Sequence, residues 1–182
     1  AALGRAPEAH ESEEPAPPRR RGSTVDASCP PARVVVVGAG LAGVAAALEA
    51  AAEGAEVILL EKQAAGQRPD ANSAKATSGM NAAGTPRQRE AGVSDSAAAL
   101  ADDTLRSSGA SSRSSSYAQL AGVLAASSAE ALEWLEAQGA PLPRVVQLGG
   151  HGAPRTHRPP EGAAPVGQHV LSALSARLAD LP

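Results

Sequence analysis

At 182 residues the chain has room for one domain and a tail. Its net charge of −3 at pH 7 gives no reason to expect nucleic acid or an anionic membrane surface as a partner, and the lone Cys29 excludes an internal disulfide or a multi-cysteine metal site. More than half of the residues counted as hydrophobic are alanine, Phe is absent, and Trp134 and Tyr117 are the only aromatics, so burial drives folding less than a hydrophobic content of 43% suggests.

Residues 1–31, AALGRAPEAHESEEPAPPRRRGSTVDASCPP, are rich in Pro, Glu, Arg and Ser with almost no large apolar side chains. Such a segment cannot offset its ordering entropy and is expected to be a disordered tail. Arg19, Arg20 and Arg21 read as a solvated charge run rather than a basic patch, and Cys29, flanked by polar residues and Pro, as inert. Glu8, Glu11, Glu13 and Glu14 argue against a mitochondrial transit peptide, which is acid-poor. The first residue is not Met, which suggests a natural start further upstream.

Arg33 to Lys62, RVVVVGAGLAGVAAALEAAAEGAEVILLEK, reads as strand, glycine turn, helix and second strand. Gly38, Gly40 and Gly43 supply the G-x-G-x-x-G of a dinucleotide-binding βαβ unit: the first for the tight turn, the second for close approach to a pyrophosphate, the third for helix–strand packing. The anion sits on N–H groups at the positive end of the helix. Ala47 continues the face packed on the sheet, Gly54 closes the helix, and Val57, Ile58, Leu59 and Leu60 form a second parallel strand expected to be buried. Glu61 stands where a carboxylate accepts hydrogen bonds from a ribose diol, and Glu rather than Asp leans mildly toward FAD. The candidate cofactor set here is Gly38, Ala39, Gly40, Leu41, Ala42, Gly43, Glu61 and Lys62. The uncharged run Val34 to Leu48 is too short and too glycine-punctuated to span a membrane.

Residues 63–92 read as loop, punctuated by Gly66, Pro69, Gly79, Gly84, Pro86 and Gly92. Ser94 or Asp95 is expected to cap a helix running to about Ser107, with Leu100 and Leu105 on its apolar side. A serine-rich linker, Ser107 to Ser116, precedes a longer helix from about Tyr117 to Gln138, stopped by Gly139 and Pro141. Residues 141–166 return to Pro/Gly-rich loop, and Val166 to Leu181 has the spacing of an amphipathic helix carrying Val170, Leu171, Leu174 and Leu178.

Within the second loop, His151, Arg155, His157 and Arg158 lie among glycines. Two Arg and two His could clamp a dicarboxylate, since guanidinium pairs bidentately with carboxylate. They could also bind a metal, though no Cys or acidic cluster adjoins them. The favoured reading is structural: they hold the loop and pair with backbone carbonyls. No catalytic residue and no metal ligand is assigned.

The loop NSAKATSGMNAAGT (Asn72 to Thr85), with GAGLAG, the EK at 61–62, AEALEWLEAQGA and LGGHGAPRTHRPP, resembles the soluble FAD-dependent fumarate reductases, particularly the eukaryotic type. These are part of the fumarate reductase and succinate dehydrogenase flavoprotein superfamily (FAD-dependent oxidoreductase 2). The resemblance runs from about Ala32 to the last residue. It departs from the family at Asp70 and Ala71, where members usually place two glycines.

What the resemblance implies is an α/β, Rossmann-like FAD-binding domain with a parallel sheet, incomplete over residues 32–182 and cut before the capping domain. Asn72, Ser73, Thr77, Ser78, Gly79 and Asn81 would contact the isoalloxazine and ribityl groups; on composition alone the same loop is a Gly/Asn/Ser turn. A His that bonds flavin covalently in respiratory relatives falls at Asn72, and an amide cannot serve, so FAD would be noncovalent. The implied reaction is hydride transfer from reduced FAD to fumarate, a dicarboxylate, with the substrate-gripping residues in later sequence. A cytoplasmic or mitochondrial protein with no membrane span is expected, its electron donor and oligomeric state open. The alternatives are a sister flavoenzyme such as L-aspartate oxidase or a ketosteroid dehydrogenase, a nicotinamide-dependent dehydrogenase, and a non-catalytic nucleotide-binding module.

Overall fold

Four consecutive valines, branched at Cβ and confined in χ1, favour extended backbone, and Arg33–Val37 forms strand β1. The structure is a computed structural model that describes residues 30–63, 72–109 and 115–181. The expected tail up to residue 29, Asp70 with Ala71, and the middle of the serine-rich linker lie outside the described residues.

After the glycine turn comes helix α1, Leu41–Ala52, built largely of alanine, the best helix former. Gly54 takes a left-handed φ of 84° just beyond it and donates its N–H to Ala51 O at 2.9 Å, closing the helix as expected. Strand β2, Glu56–Leu60, returns parallel to β1 in the register Arg33↔Glu56 to Val37↔Leu60. Helix α1 packs on both strands. The expected burial of β2 needs correction: Val57 and Leu59 are half-buried under α1, but Ile58 is 39% and Leu60 52% exposed. Val35 and Val37 of β1 share that uncovered face.

The two stretches expected as loop hold structure. The first contains α2 (Asn72–Lys75), β3 (Met80–Asn81) and α3 (Pro86–Glu90). In α3, Thr85 and Gln88 form a reciprocal capping box and Pro86 opens the first turn. The second contains β4 (Arg144–Val146) and β5 (Thr156–Arg158), and β5 pairs antiparallel with both β3 and β4. Strands of two or three residues are too short to display an alternating pattern, so sequence alone leaves them as loop.

The remaining helices fall near their expected places. Helix α4, Ala97–Ser107, is capped by Ser96, whose hydroxyl accepts from Ala99 N at 3.2 Å; neither Ser94 nor Asp95 has that role. Its buried side chains are Leu100 and Asp103, with Leu105 only half-buried. Helix α5 is Ser115–Ala137 and α6 is Val166–Ala179. The main core joins Val44 and Leu48 of α1, Leu132 and Leu135 of α5, Leu142, and Val170, Leu171 and Leu174 of α6. Trp134 donates its indole N–H to Glu49 at 2.6 Å, tying α5 to α1. Among the described residues no helix is long and apolar enough to cross a membrane.

Candidate functional site

In the turn between β1 and α1, Gly38 and Gly43 have the geometry expected of them. Gly38 adopts φ 100° and donates its N–H to Leu60 O at 2.7 Å, so the chain leaves the sheet with its last strand bond made. A Cβ on Gly43 would overlap the Gly38 carbonyl oxygen and stand 3.4 Å from Val36 Cγ1. Close packing of α1 on β1 therefore requires glycine there. Gly40 is the N-cap, extended at φ −70° and ψ 175°, and has no side chain of its own to cap the helix. The positive end of the α1 dipole thus opens onto this turn.

Glu61, at the end of β2, bends back over the turn. Its carboxylate accepts from Ala39 N at 2.7 Å and from Gln63 N at 3.0 Å. Those two amides, the Ala39 one first, hold its carboxyl below the usual range, with a smaller contribution from Lys62. The carboxylate is exposed, ionised and fixed in direction, and two backbone donors leave it capacity to accept from a diol.

The 72–81 segment is fastened at both ends. Ser73 Oγ accepts from Leu41 N at 3.2 Å, at the start of α1. Gly79, at φ 143°, lies against β5: a Cβ there would come within 2.5 Å of Thr156 Cγ2 and 2.7 Å of His157 O. The closeness that Gly79 permits is thus to the protein's own strand. Arg158 Nε donates to Ser78 O at 2.5 Å, and Asn81 Oδ1 accepts from Thr156 Oγ1 at 2.7 Å. Asn72, Thr77, Ser78 and Asn81 are exposed.

The His/Arg loop is largely built into the fold. His157 is fully buried; its Nδ1–H donates to Arg155 O and its Nε2 accepts from the Thr85 hydroxyl, each at 3.0 Å. A carbonyl only accepts, which fixes that tautomer, and burial pushes the imidazole pKa down, so the ring is neutral. Arg158 and His157 pair with backbone carbonyls, in line with a structural role. Arg155 differs: it is buried between two carboxylates, Asp95 at 2.9 Å and Asp103 at 3.0 Å. Asp103 is held below its usual pKa first by the Gly152 amide at 2.6 Å, then by Arg155 and Arg106. With Arg155 so engaged, the loop does not present the clamp of free cations that its composition allows. Sequence reading missed Asp95 and Asp103 as its partners. The available signal was Asp103 three residues after Leu100, on the helix face that packs inward. No group of three or more metal-ligating side chains occurs among the described residues.

The FAD binding domain family matches residues 33–182. Over 150 residues the chain is 40% identical to fumarate reductase 1 of Saccharomyces cerevisiae, covering 81% of this chain and 30% of that protein. It is 38% identical to a cytochrome-type fumarate reductase of Shewanella frigidimarina, covering 78% of this chain and 23% of that one. Among solved structures it is similar to the open conformation of a flavocytochrome c3 fumarate reductase, with TM-score 0.73 and 34% identity, across 82% of this chain and 25% of the other. The chain therefore spans under a third of the length of each of these relatives.

Proposed function

The chain belongs to the FAD binding domain family, and from that membership we propose that it is the nucleotide-binding part of an FAD-dependent oxidoreductase that reduces fumarate to succinate. The observation that carries the reading is the 40% identity to a fumarate reductase over 150 residues, reaching well beyond the glycine turn.

The residues present fit FAD. The backbone from Gly38 to Gly43, opening on a helix N-terminus whose N-cap residue has no side chain, would hold the pyrophosphate. Glu61, ionised and aimed by Ala39 and Gln63, would accept from the adenosine ribose, with Lys62 beside it. Asn72, Thr77, Ser78, Gly79 and Asn81 would line the flavin side, small enough for a flat ring to approach the backbone, with Ser73 at their pyrophosphate end beside Leu41 N. Bound there, FAD supplies hydride transfer from its reduced N5 to one alkene carbon of fumarate while a proton goes to the other. The protein's contribution is orientation and charge. Fumarate is a dianion whose reduction needs cations at both carboxylates. Arg155 is committed to Asp95 and Asp103, so those cations would belong to other parts of the full-length polypeptide. The substrate is accordingly a small dicarboxylate, and residues 32–182 are the N-terminal part of a larger FAD domain.

The test is the full-length polypeptide that carries these residues. Purified, it should show a flavin band in the visible spectrum and oxidise reduced methyl viologen when fumarate is added. A colourless protein that instead binds NAD(H), or a flavoprotein inert to fumarate, would reject the reading. Asn72 replaces a nucleophilic imidazole with an amide, so acid precipitation should release all flavin into the supernatant. Flavin kept in the pellet would show a covalent link.

A further inference from the structure

We propose that Gly167, in the first turn of α6, is a positioning residue for the cofactor turn, acting through Ser73; the inference rests on the FAD reading above. Gly167 is buried, and its N–H donates to Ala76 O at 3.0 Å. A Cβ at this position would overlap the Ser73 carbonyl oxygen and lie 2.9 Å from Ser73 C and 3.0 Å from Ala76 O. All three obstructing atoms are backbone, so no side chain can rotate away to make room. Unlike Gly38, Gly167 lacks a left-handed φ, so it is needed for space alone. The absent side chain lets the 73–76 backbone rest directly on α6.

What that contact fixes is the hydroxyl of Ser73. Its oxygen accepts from Leu41 N at 3.2 Å, at the mouth of the α1 N-terminus. A serine hydroxyl that accepts one bond still has its own O–H to donate. Seated on the first turn of α1, that O–H adds a directed donor to the backbone N–H groups facing a diphosphate. Any residue larger than glycine at 167 pushes the 73–76 backbone off α6 and carries the hydroxyl with it. The remainder of α6 need not move, because Val170, Leu171 and Leu174 are anchored in the core further along the helix.

The experiment uses the full-length polypeptide and measures FAD dissociation constants by flavin fluorescence on apoprotein, for wild type, Gly167→Ala, Ser73→Ala and the double variant. Gly122→Ala is the control, since a Cβ at that helical glycine meets nothing within 4 Å. Gly167→Ala and Ser73→Ala are each expected to raise the constant about tenfold, the scale of one lost hydrogen bond to a charged group. The double variant should be no weaker than the weaker single, because both changes remove the same donor. Ser73→Thr, which keeps a hydroxyl, should recover most of the loss, and Gly122→Ala should bind as wild type. Multiplying effects in the double variant would show Gly167 to be merely structural, and wild-type affinity in Gly167→Ala would overturn the proposal outright. Should Gly167→Ala not fold, Ser73→Ala decides: unchanged affinity there refutes the proposal, and a loss restored by Ser73→Thr supports it. Wild-type protein that binds no FAD at all would instead remove the functional reading beneath it.

Discussion

Glu61 and His157 are titratable residues whose environments set opposite tasks. Glu61 is exposed and receives two backbone amides, which keep it charged and pointed. Glu61→Gln keeps the shape but loses the charge-assisted bonds, and FAD affinity in the full-length polypeptide should fall about tenfold. Equilibrium titration of the apoprotein checks this, and unchanged affinity would remove Glu61 from the site. His157 is buried and neutral, bridging Arg155 O to the Thr85 hydroxyl. Its folded pKa lies below the ordinary 6.5, so the unfolded state takes up the proton first. The stability it confers is therefore complete above 6.5 and is lost as pH falls toward its depressed folded pKa. His157→Ala should cost about 1–3 kcal/mol for each buried partner left unpaired. It should also flatten the pH dependence just below 6.5, which urea melts of wild type and variant at a series of pH values would show. A variant that retains the wild-type slope there would assign that titration to another group.

At the scale of elements, Arg155 is what fastens α4 to the approach of β5. Its guanidinium and the Asp95 carboxylate are each 1% exposed, so neither charge is solvated if the other is removed. Arg155→Ala should destabilise the fold by about 3–5 kcal/mol, as expected when a buried pair loses one member. Adding Asp95→Asn should restore part of that loss, because the stranded charge goes with it; chemical denaturation of the four species gives the coupling, and no recovery would refute the pairing. This lock was not legible in the sequence. The βαβ unit, α4, α5 and α6 were, because glycine punctuation and helical spacing are local signals. The β3-β5-β4 sheet was not, since its strands take their identity from partners up to 77 residues away, as in Met80↔His157. The same separation hid the site's second half. The candidate roles of Gly38, Gly40, Gly43 and Glu61 were legible because all four lie within 24 residues of chain. The setting of Ser73 depends on Leu41 and Gly167, which no local pattern connects to it. Gly79 reads in sequence as loop punctuation and, by resemblance, as a flavin contact; its packing against β5 was not legible.

For the molecule as a whole, the parallel sheet leaves one apolar face uncovered among the described residues. Parallel strands are normally covered on both faces, since crossover helices fall on either side. Here α1 covers one face, while Val35, Val37, Ile58 and Leu60 stand 55%, 81%, 39% and 52% exposed on the other. With valine and leucine aligned on that face across the register Val37↔Leu60, this is an apolar patch next to strands whose outer edges invite pairing. Residues 1–182 produced alone should therefore associate, bind a hydrophobic dye, and hold FAD weakly or not at all. Val37→Lys together with Leu60→Thr should reduce that association in the isolated chain. The same pair in the full-length polypeptide should impair folding, if further chain covers this face. Fumarate turnover follows from the same geometry. With Arg155 sequestered, His157 neutral and Arg158 on Ser78 O, these three residues form no ring of cations around a dianion. The isolated chain should not oxidise reduced methyl viologen in the presence of fumarate above the buffer rate. Turnover above that rate would place a complete substrate site within these 182 residues. It would require cations other than the buried Arg155 to close around the substrate.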